Sequence, residues 1–336
     1  MKLQMKTLTG AMAFLLLAFG TIPFAQAASL ESELADINTT IHQHHAKWVA
    51  AETSLSRLSD EEKMHRVGMS ELKLTAKPVP EPEMSIMSSM PGNLDWRDNN
   101  GNFVSGVKDQ AKCGACWAFA MTGGLESNAI LSGSAGQDVS YSEQVLLSCG
   151  GVGSCDGGTL NADFLQSTGL PPTSYYPYTA ANGDCSAARA GWQNATYKIG
   201  DWGSVTASAS AIKAALVKYG PLPTAFMVYA DFMNYKSGIY EYVKGKKLGG
   251  HAVLIVGYND DEQYFIVKNS WGTGWGEGGF FRIAYSEMTS KSQFGMSTIA
   301  YQAAGATSYY SNLMSKNVMS DKSISQKIGG LLEQRP

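Results

Sequence analysis

Gln110-Ala-Lys-Cys-Gly-Ala-Cys-Trp-Ala-Phe119 places two cysteines three positions apart, with a glutamine six residues before the second and a tryptophan directly after it. A pair this close can be a redox dithiol, half of a zinc site, or one structural and one reactive cysteine. The redox reading wants a βαβ setting, which the flanking sequence lacks. The zinc reading wants a second close Cys or His pair, and Cys149-x5-Cys155 is wider than such pairs usually are.

The remaining cysteines narrow the choice. There are five: Cys113, Cys116, Cys149, Cys155 and Cys185. Lys2 and Lys6 precede an apolar run from Ala11 to Phe24, and Ala25-Gln26-Ala27 has the small-x-small form of a signal cleavage site. Residues 1–27 therefore read as a signal peptide, and the mature chain as exported to an extracellular, periplasmic or lysosome-like compartment where disulfides persist. No later stretch is apolar enough to span a bilayer, so no membrane anchor is expected once the signal is removed. Five is an odd number. Two disulfides plus one free thiol is the economical reading, and the free thiol is a candidate nucleophile.

Histidines point the same way. Four of the five (His42, His44, His45, His65) lie early, and only His251 follows residue 65. If the thiol needs an imidazole base, His251 is the one at hand. His251-Ala-Val-Leu-Ile-Val-Gly-Tyr258, a turn at 259–261 and Tyr264-Phe-Ile-Val-Lys-Asn269 read as a β-hairpin. That pairing brings Asn269 towards His251, where an amide oxygen can accept the imidazole N–H and fix the ring tautomer.

Apolar residues make up 44% of the chain and charged residues 16%, which describes a globular body. A net charge of -3 gives no reason to expect nucleic acid as a partner. Leu30, Leu34, Ile37, Ile41, Trp48, Ala51, Leu55 and Leu58 step mostly by three and four, which predicts one amphipathic helix or two in series. Ser59-Asp-Glu-Glu62 has the form of a capping box and should open another helix. Lys77-Pro-Val-Pro-Glu-Pro82 must be extended, and the composition shift sets a boundary near Met90. Beyond it, Cys116 to about Leu131 reads as a helix and Phe280–Ile283 as a further strand. A helical first half followed by a strand-rich second half predicts an α+β fold of two lobes.

These residues, taken together, resemble the papain-like cysteine peptidases over Asn93 to about Ala300. Asp95-Trp-Arg97, Val107-Lys-Asp-Gln110 with Cys-Gly-Ala-Cys-Trp-Ala-Phe119, Ser142-Glu-Gln144, Cys155-Asp-Gly-Gly158, Tyr176-Pro-Tyr178, His251-Ala-Val253 and Lys268-Asn-Ser-Trp-Gly-Thr-Gly-Trp-Gly-Glu-Gly-Gly279 occur in order. His251 follows Cys116 by 135 residues, within the spacing of the group.

The resemblance implies a helical lobe and a β-barrel-like lobe with a cleft between them, Cys116 on one wall and His251 on the other. It implies Cys116 as nucleophile, its thiol pKa lowered at a helix N-terminus, His251 as base and acid, Asn269 as orienting residue, Gln110 as oxyanion donor and Trp271 as the shield of the His–Asn contact. It pairs Cys113 with Cys155 and Cys149 with Cys185, leaving Cys116 free. Gly157 and Gly158 match the edge that pairs with an extended substrate. Thr159, Leu160, Ala225, Ala252 and Ile299 match the pocket for the second substrate residue (P2), and this apolar set predicts a bulky apolar P2.

The implied organisation is a signal (1–27), a helical propeptide with a Pro-rich linker (28–90), a peptidase domain (91–303) and a C-terminal tail (304–336) without counterpart in the family. The Pro-rich 78–82 segment is expected to run through or past the cleft. No metal or cofactor is implied; the partners are peptide or protein substrates and the chain's own propeptide as inhibitor, and a monomer is expected. The relatives' third disulfide is missing, since no cysteine follows Cys185. The histidine-bearing loop that makes some relatives exopeptidases is missing too, which favours endopeptidase action. Two alternatives remain: acyl transfer to an amine through the same Cys–His pair, and a non-catalytic binding protein on this scaffold.

Overall fold

The structure is a computed structural model and describes residues 24–70, 76–80 and 90–303. Most of the signal segment and the whole of the 304–336 tail lie outside the described residues. No helix among the described residues is long and apolar enough to cross a membrane.

The chain opens with α1 (Phe24–Gln43), which runs across the predicted junction at residue 27. It then departs from the expectation of helix up to Leu58. Residues Lys47–Ala50 form strand β1. Trp48 explains the switch. Its indole packs on Tyr235 and Tyr240, with ring centroids 6.2 and 5.2 Å away. A strand puts Trp48 and Ala50 on the buried face and Val49 in solvent, and its backbone pairs antiparallel with a strand of the second lobe. Tertiary burial of one large aromatic and a row of ladder hydrogen bonds outweigh the helical spacing. The capping box forms as read: Ser59 accepts from Glu62 N–H, and Glu62 reaches back to Ser59 N–H, opening α2 (Asp60–Met64).

Strand β2 (Asn93–Asp95) joins the sheet of the second lobe, and the first lobe is built on α3 (Cys116–Leu131), α4 (Glu143–Cys149), the two-residue strands β3 (Gly153–Ser154) and β4 (Gly157–Gly158), and α5 (Asp163–Ser167). Fourteen of the sixteen α3 residues are buried, so it is a central rather than an amphipathic helix. Disulfides Cys113–Cys155 and Cys149–Cys185 tie loops around it, and Cys116 is the free cysteine. With separations of 42 and 36 residues, each removes on the order of 4 kcal/mol of chain entropy from the unfolded state.

The second lobe holds β5 (Ile199–Val205), α6 (Ala209–Tyr219), β6 (Leu222–Tyr229), β7 (Tyr235–Tyr240), β8 (Lys247–Asn259), β9 (Tyr264–Lys268), β10 (Phe280–Ala284) and β11 (Thr298–Ala303). Its main sheet runs β1-β7-β10-β9-β8-β2, with β6 also on β8, while β11 pairs with β5. The β8–β9 hairpin forms as expected, with a bulge between Ile255 and Gly257. Phe226, Phe232, Trp271, Trp275 and Phe281 meet at its centre with rings 4.9 to 5.8 Å apart. That packing, with no disulfide among the described residues of this lobe, holds its centre.

Candidate active site

The nucleophile candidate is the first residue of α3. Cys116 is fully buried, and its Sγ accepts the backbone N–H of Ala252 at 3.4 Å. That contact spans the two lobes, because Ala252 belongs to β8. The preceding residue, His251, is buried opposite Phe226 in the ladder. Its Nε2 lies 2.8 Å from Asn269 Oδ1, just past the end of β9.

The tautomer follows from the second partner of that oxygen. Asn269 Oδ1 also accepts the backbone N–H of Ser270 at 2.8 Å, so it is the acceptor and His251 Nε2 carries the proton. Nδ1 is buried and has no hydrogen-bond partner among the described residues. In the neutral ring it therefore keeps its lone pair and can take a proton. Trp271 stacks on the imidazole at 4.5 Å and 27°, closing one face to water.

Gln110 is fully buried beside this group. Its Oε1 accepts Ser270 Oγ–H at 2.7 Å, its N–H donates to Ser270 O at 2.9 Å, and its Nε2 donates to Cys113 O at 2.9 Å. With its oxygen held by Ser270, the amide can present only N–H groups elsewhere. The structure thus brings Gln110, Cys116, His251, Asn269 and Trp271 together. Gly157 and Gly158 form the short strand on the first-lobe rim, and Gly158 lies against the Trp117 ring where a Cβ would come within 2.6 Å. Leu160, Ala225, Ala252 and Ile299 share one buried cluster with Cys116 and Trp117, and Thr159 follows β4, half-buried.

Residues 66–70 lie across this site. Gly68 and Met69 both donate N–H to Gly250 O at 3.0 and 2.9 Å. On the opposite rim Ser70 N–H donates to Gly158 O at 3.0 Å, and Gly158 N–H to Gly68 O at 2.9 Å. Trp271 Nε1 donates to Arg66 O at 3.0 Å. The described part of the Pro-rich stretch, residues 77–80, does not enter the cleft. Its Val79 donates to Ser204 O on β5 at 2.9 Å, and Pro80 O accepts from Tyr219 at 3.0 Å, so it runs past.

Burial beneath this segment sets the protonation state. It pushes the Cys116 thiol up to about 12, opposed by the backbone N–H groups of Ala252, Trp117, Gly68 and Cys116 itself. The same burial pulls His251 down to about 4, opposed by its bond to Asn269. In the covered state the pair is thiol and neutral imidazole, the reverse of the lowered thiol pKa expected from the helix end. The helix N-terminus is outweighed here by a third layer that excludes water from both groups.

Sequence reasoning missed several participants. Ser270 fixes Gln110, and its signal was its place between Asn269 and Trp271. Val67-Gly-Met-Ser70 carries no helical or alternating pattern at all. Lys268 and Glu126 are charged residues inside otherwise apolar elements, and that was the sign of the buried ionic cluster they form with Lys108 and Glu143.

Residues 90–304 match the family described as papain family cysteine protease. Cathepsin B-like CP3 of Giardia intestinalis is 39% identical over 227 residues, covering 63% of this chain and 75% of its own. Ananain of Ananas comosus is 35% identical over 235 residues, covering 68% and 65%. Among solved structures, a recombinant stem bromelain precursor is similar with TM-score 0.70 and 28% identity over 83% of this chain and 91% of that one. Procathepsin L2 from Tenebrio molitor larval midgut gives TM-score 0.70 at 29% identity, covering 82% and 90%. With the family match over 90–304 and a buried free thiol across the lobe junction from a histidine and its asparagine, the chain belongs to the papain family of cysteine proteases.

Proposed function

We propose that the protein is an exported cysteine endopeptidase made as a zymogen, with residues 1–27 as signal, 28–90 as propeptide, 91–303 as peptidase domain and 304–336 as a tail of unassigned role. The observation that carries the reading is the Asn269–His251 pair held against the nucleophile wall, with residues 66–70 laid over it.

In this mechanism residues 66–70 leave and water regains access to Cys116. His251 Nδ1 takes the thiol proton, and the thiolate attacks the scissile carbonyl carbon. Gln110 Nε2 and the Cys116 N–H donate to the developing oxyanion. His251 returns the proton to the leaving amine, which departs and leaves a thioester on Cys116. Water, deprotonated by the same nitrogen, then hydrolyses the thioester. Asn269 keeps the ring in the tautomer that makes Nδ1 the working atom, and Trp271 keeps water off the His–Asn contact. An added amine can take the place of water, so the transpeptidase reading shares every residue. Product analysis with and without such an amine separates the two.

Leu160, Ala225, Ala252 and Ile299 are proposed to line the P2 pocket beside Thr159, with Gly157 and Gly158 as the edge for the substrate backbone. Met69 packs against that apolar cluster in the covered state, which supports an apolar occupant. A fluorogenic panel is expected to favour Leu or Phe over Arg at P2, by about tenfold or more for a charge left unpaired against an apolar wall. A P2 preference for Arg would refute the assignment.

Acid should open the covered state. His251 has its pKa depressed from 6.5 to about 4 in the covered form. Its contribution to that form is therefore complete above pH 6.5 and is lost as pH falls towards 4, reaching about 3 kcal/mol there. Asp60, held low by Lys246, adds a smaller loss in the same direction. Thermal melts of a Cys116→Ala precursor are expected to fall more steeply between pH 6.5 and 4 than those of the Cys116→Ala/His251→Gln double variant. Parallel curves would show that His251 carries none of the acid sensitivity. Intact mass after mildly acidic incubation of wild type should show loss of the 28–90 region, and full activity with the segment still attached would contradict the zymogen reading.

A further inference from the structure

A cavity of about 20 Å³ lies between α3 and the β8–β9 hairpin, with Gly123, Glu126, Glu143, Leu254, Lys268 and Asn269 among its lining residues. That volume admits one water molecule. Beside apolar residues, its lining carries four charged side chains, Lys108, Glu126, Glu143 and Lys268. Lys108 Nζ donates to Glu126 Oε1 at 2.7 Å and to Glu143 Oε1 at 2.6 Å. Lys268 Nζ donates to Ser105 Oγ at 3.0 Å, and Ser105 Oγ–H in turn donates to Glu126 Oε2. Glu126, Glu143, Lys268 and Asn269 are all more than nine-tenths buried.

One donor at this wall is unmatched. Asn269 Oδ1 is fully used by His251 and Ser270, whereas Asn269 Nδ2 is buried and has no hydrogen-bond partner among the described residues. A buried amide N–H on a residue that lines a water-sized cavity calls for an acceptor. A cation fits poorly, because two lysines flank the space and, among the described residues, no group of three or more His, Cys, Asp or Glu side chains is placed to hold a metal ion.

We propose that the cavity is a water site: one ordered water accepts Asn269 Nδ2–H and donates to a carboxylate of the Glu126–Glu143 pair, so that the ionic cluster positions the Asn269 amide and, through it, the His251 ring. The proposal rests on reading Asn269 as the residue that orients His251. The two glutamates and two lysines are then positioning residues that never touch substrate. They join the nucleophile helix to the strand end that bears Asn269, so the two walls of the cleft share one anchor. Burial raises the Glu143 pKa and lowers that of Lys268 to about 8, and a water among these groups would restore part of the solvation they lose.

Gly123→Ala tests this without removing a charge. A Cβ at Gly123 would meet only Leu254 Cδ2, at 3.4 Å, an ordinary contact, and alanine is the better helix former. The added methyl encroaches on the cavity and should displace the water. In the processed enzyme kcat is expected to fall about tenfold with KM unchanged, as for a misplaced catalytic group. The imidazole ¹⁵N resonances of His251, the only histidine after residue 65, should shift towards a mixture of tautomers. Unchanged kcat and unchanged resonances would overturn the proposal. So would a high-resolution crystal structure of the wild-type enzyme with no water within hydrogen-bond reach of Asn269 Nδ2. Asn269→Ala separates the two levels. If it leaves kcat intact, the orienting role of Asn269 fails. If it lowers kcat while Gly123→Ala does not, only the water site fails.

Discussion

Cys116→Ala is expected to abolish peptide hydrolysis, with a loss of at least about a thousandfold in kcat/KM on a P2-Leu fluorogenic peptide, while the fold remains intact. The proposed mechanism passes every step through the sulfur, and deleting the nucleophile of a Cys–His or Ser–His pair removes the covalent route outright. Folding should survive, because the substitution deletes one buried sulfur from a helix terminus and leaves both disulfides in place. It also removes the one free cysteine among the described residues, so thiol titration of the folded variant should fall to zero. Equal rates in wild type and variant would refute the mechanism and return the non-catalytic binding reading to consideration.

Gly68→Val should have the second largest effect, in the opposite direction. A Cβ at Gly68 would lie 1.9 Å from Gly114 O and 2.5 Å from Gly114 C. Both are backbone atoms in the loop that carries Cys113 and leads into α3, and neither can swing aside as a side chain can. Residues 66–70 then cannot lie flat in the cleft. Four backbone hydrogen bonds, two to Gly250 and two with Gly158, go with them. At about 1 kcal/mol each, the covered state loses roughly 4 kcal/mol, or about three orders of magnitude in its ratio to the open state. The uncleaved Gly68→Val precursor should therefore hydrolyse small peptides and alkylate at Cys116 at neutral pH. A precursor as inert as wild type would show that residues 66–70 are not what closes the site.

The chemistry of the site was more legible in the sequence than its covering. Cys116, His251, Asn269, Gln110 and Trp271 sit in short strings whose residue order carries the meaning, and the odd cysteine count and the lone late histidine pointed to the same pair. The hairpin and α3 were legible because their apolar runs are long. The strand at Lys47–Ala50 was not. Its apolar residues keep helical spacing, and only the Tyr235–Tyr240 platform, nearly two hundred residues away, makes a strand the better conformation. Residues 66–70 were hidden for a different reason. They are held by main-chain hydrogen bonds and by the absence of a side chain at Gly68, and neither leaves a pattern of polar and apolar residues. The raised Cys116 pKa of the covered state was hidden on the same account, since it depends on what lies above the thiol.

The most direct test of the account is to quench the processed enzyme during turnover of a slowly deacylating peptide ester and find the acyl group by mass spectrometry. The mechanism predicts one added acyl mass on the peptide containing Cys116, absent from Cys116→Ala and strongly reduced in His251→Gln, which lacks the base that forms the thiolate. An acyl group on any other residue, or hydrolysis that proceeds with Cys116 unmodified throughout, would contradict it.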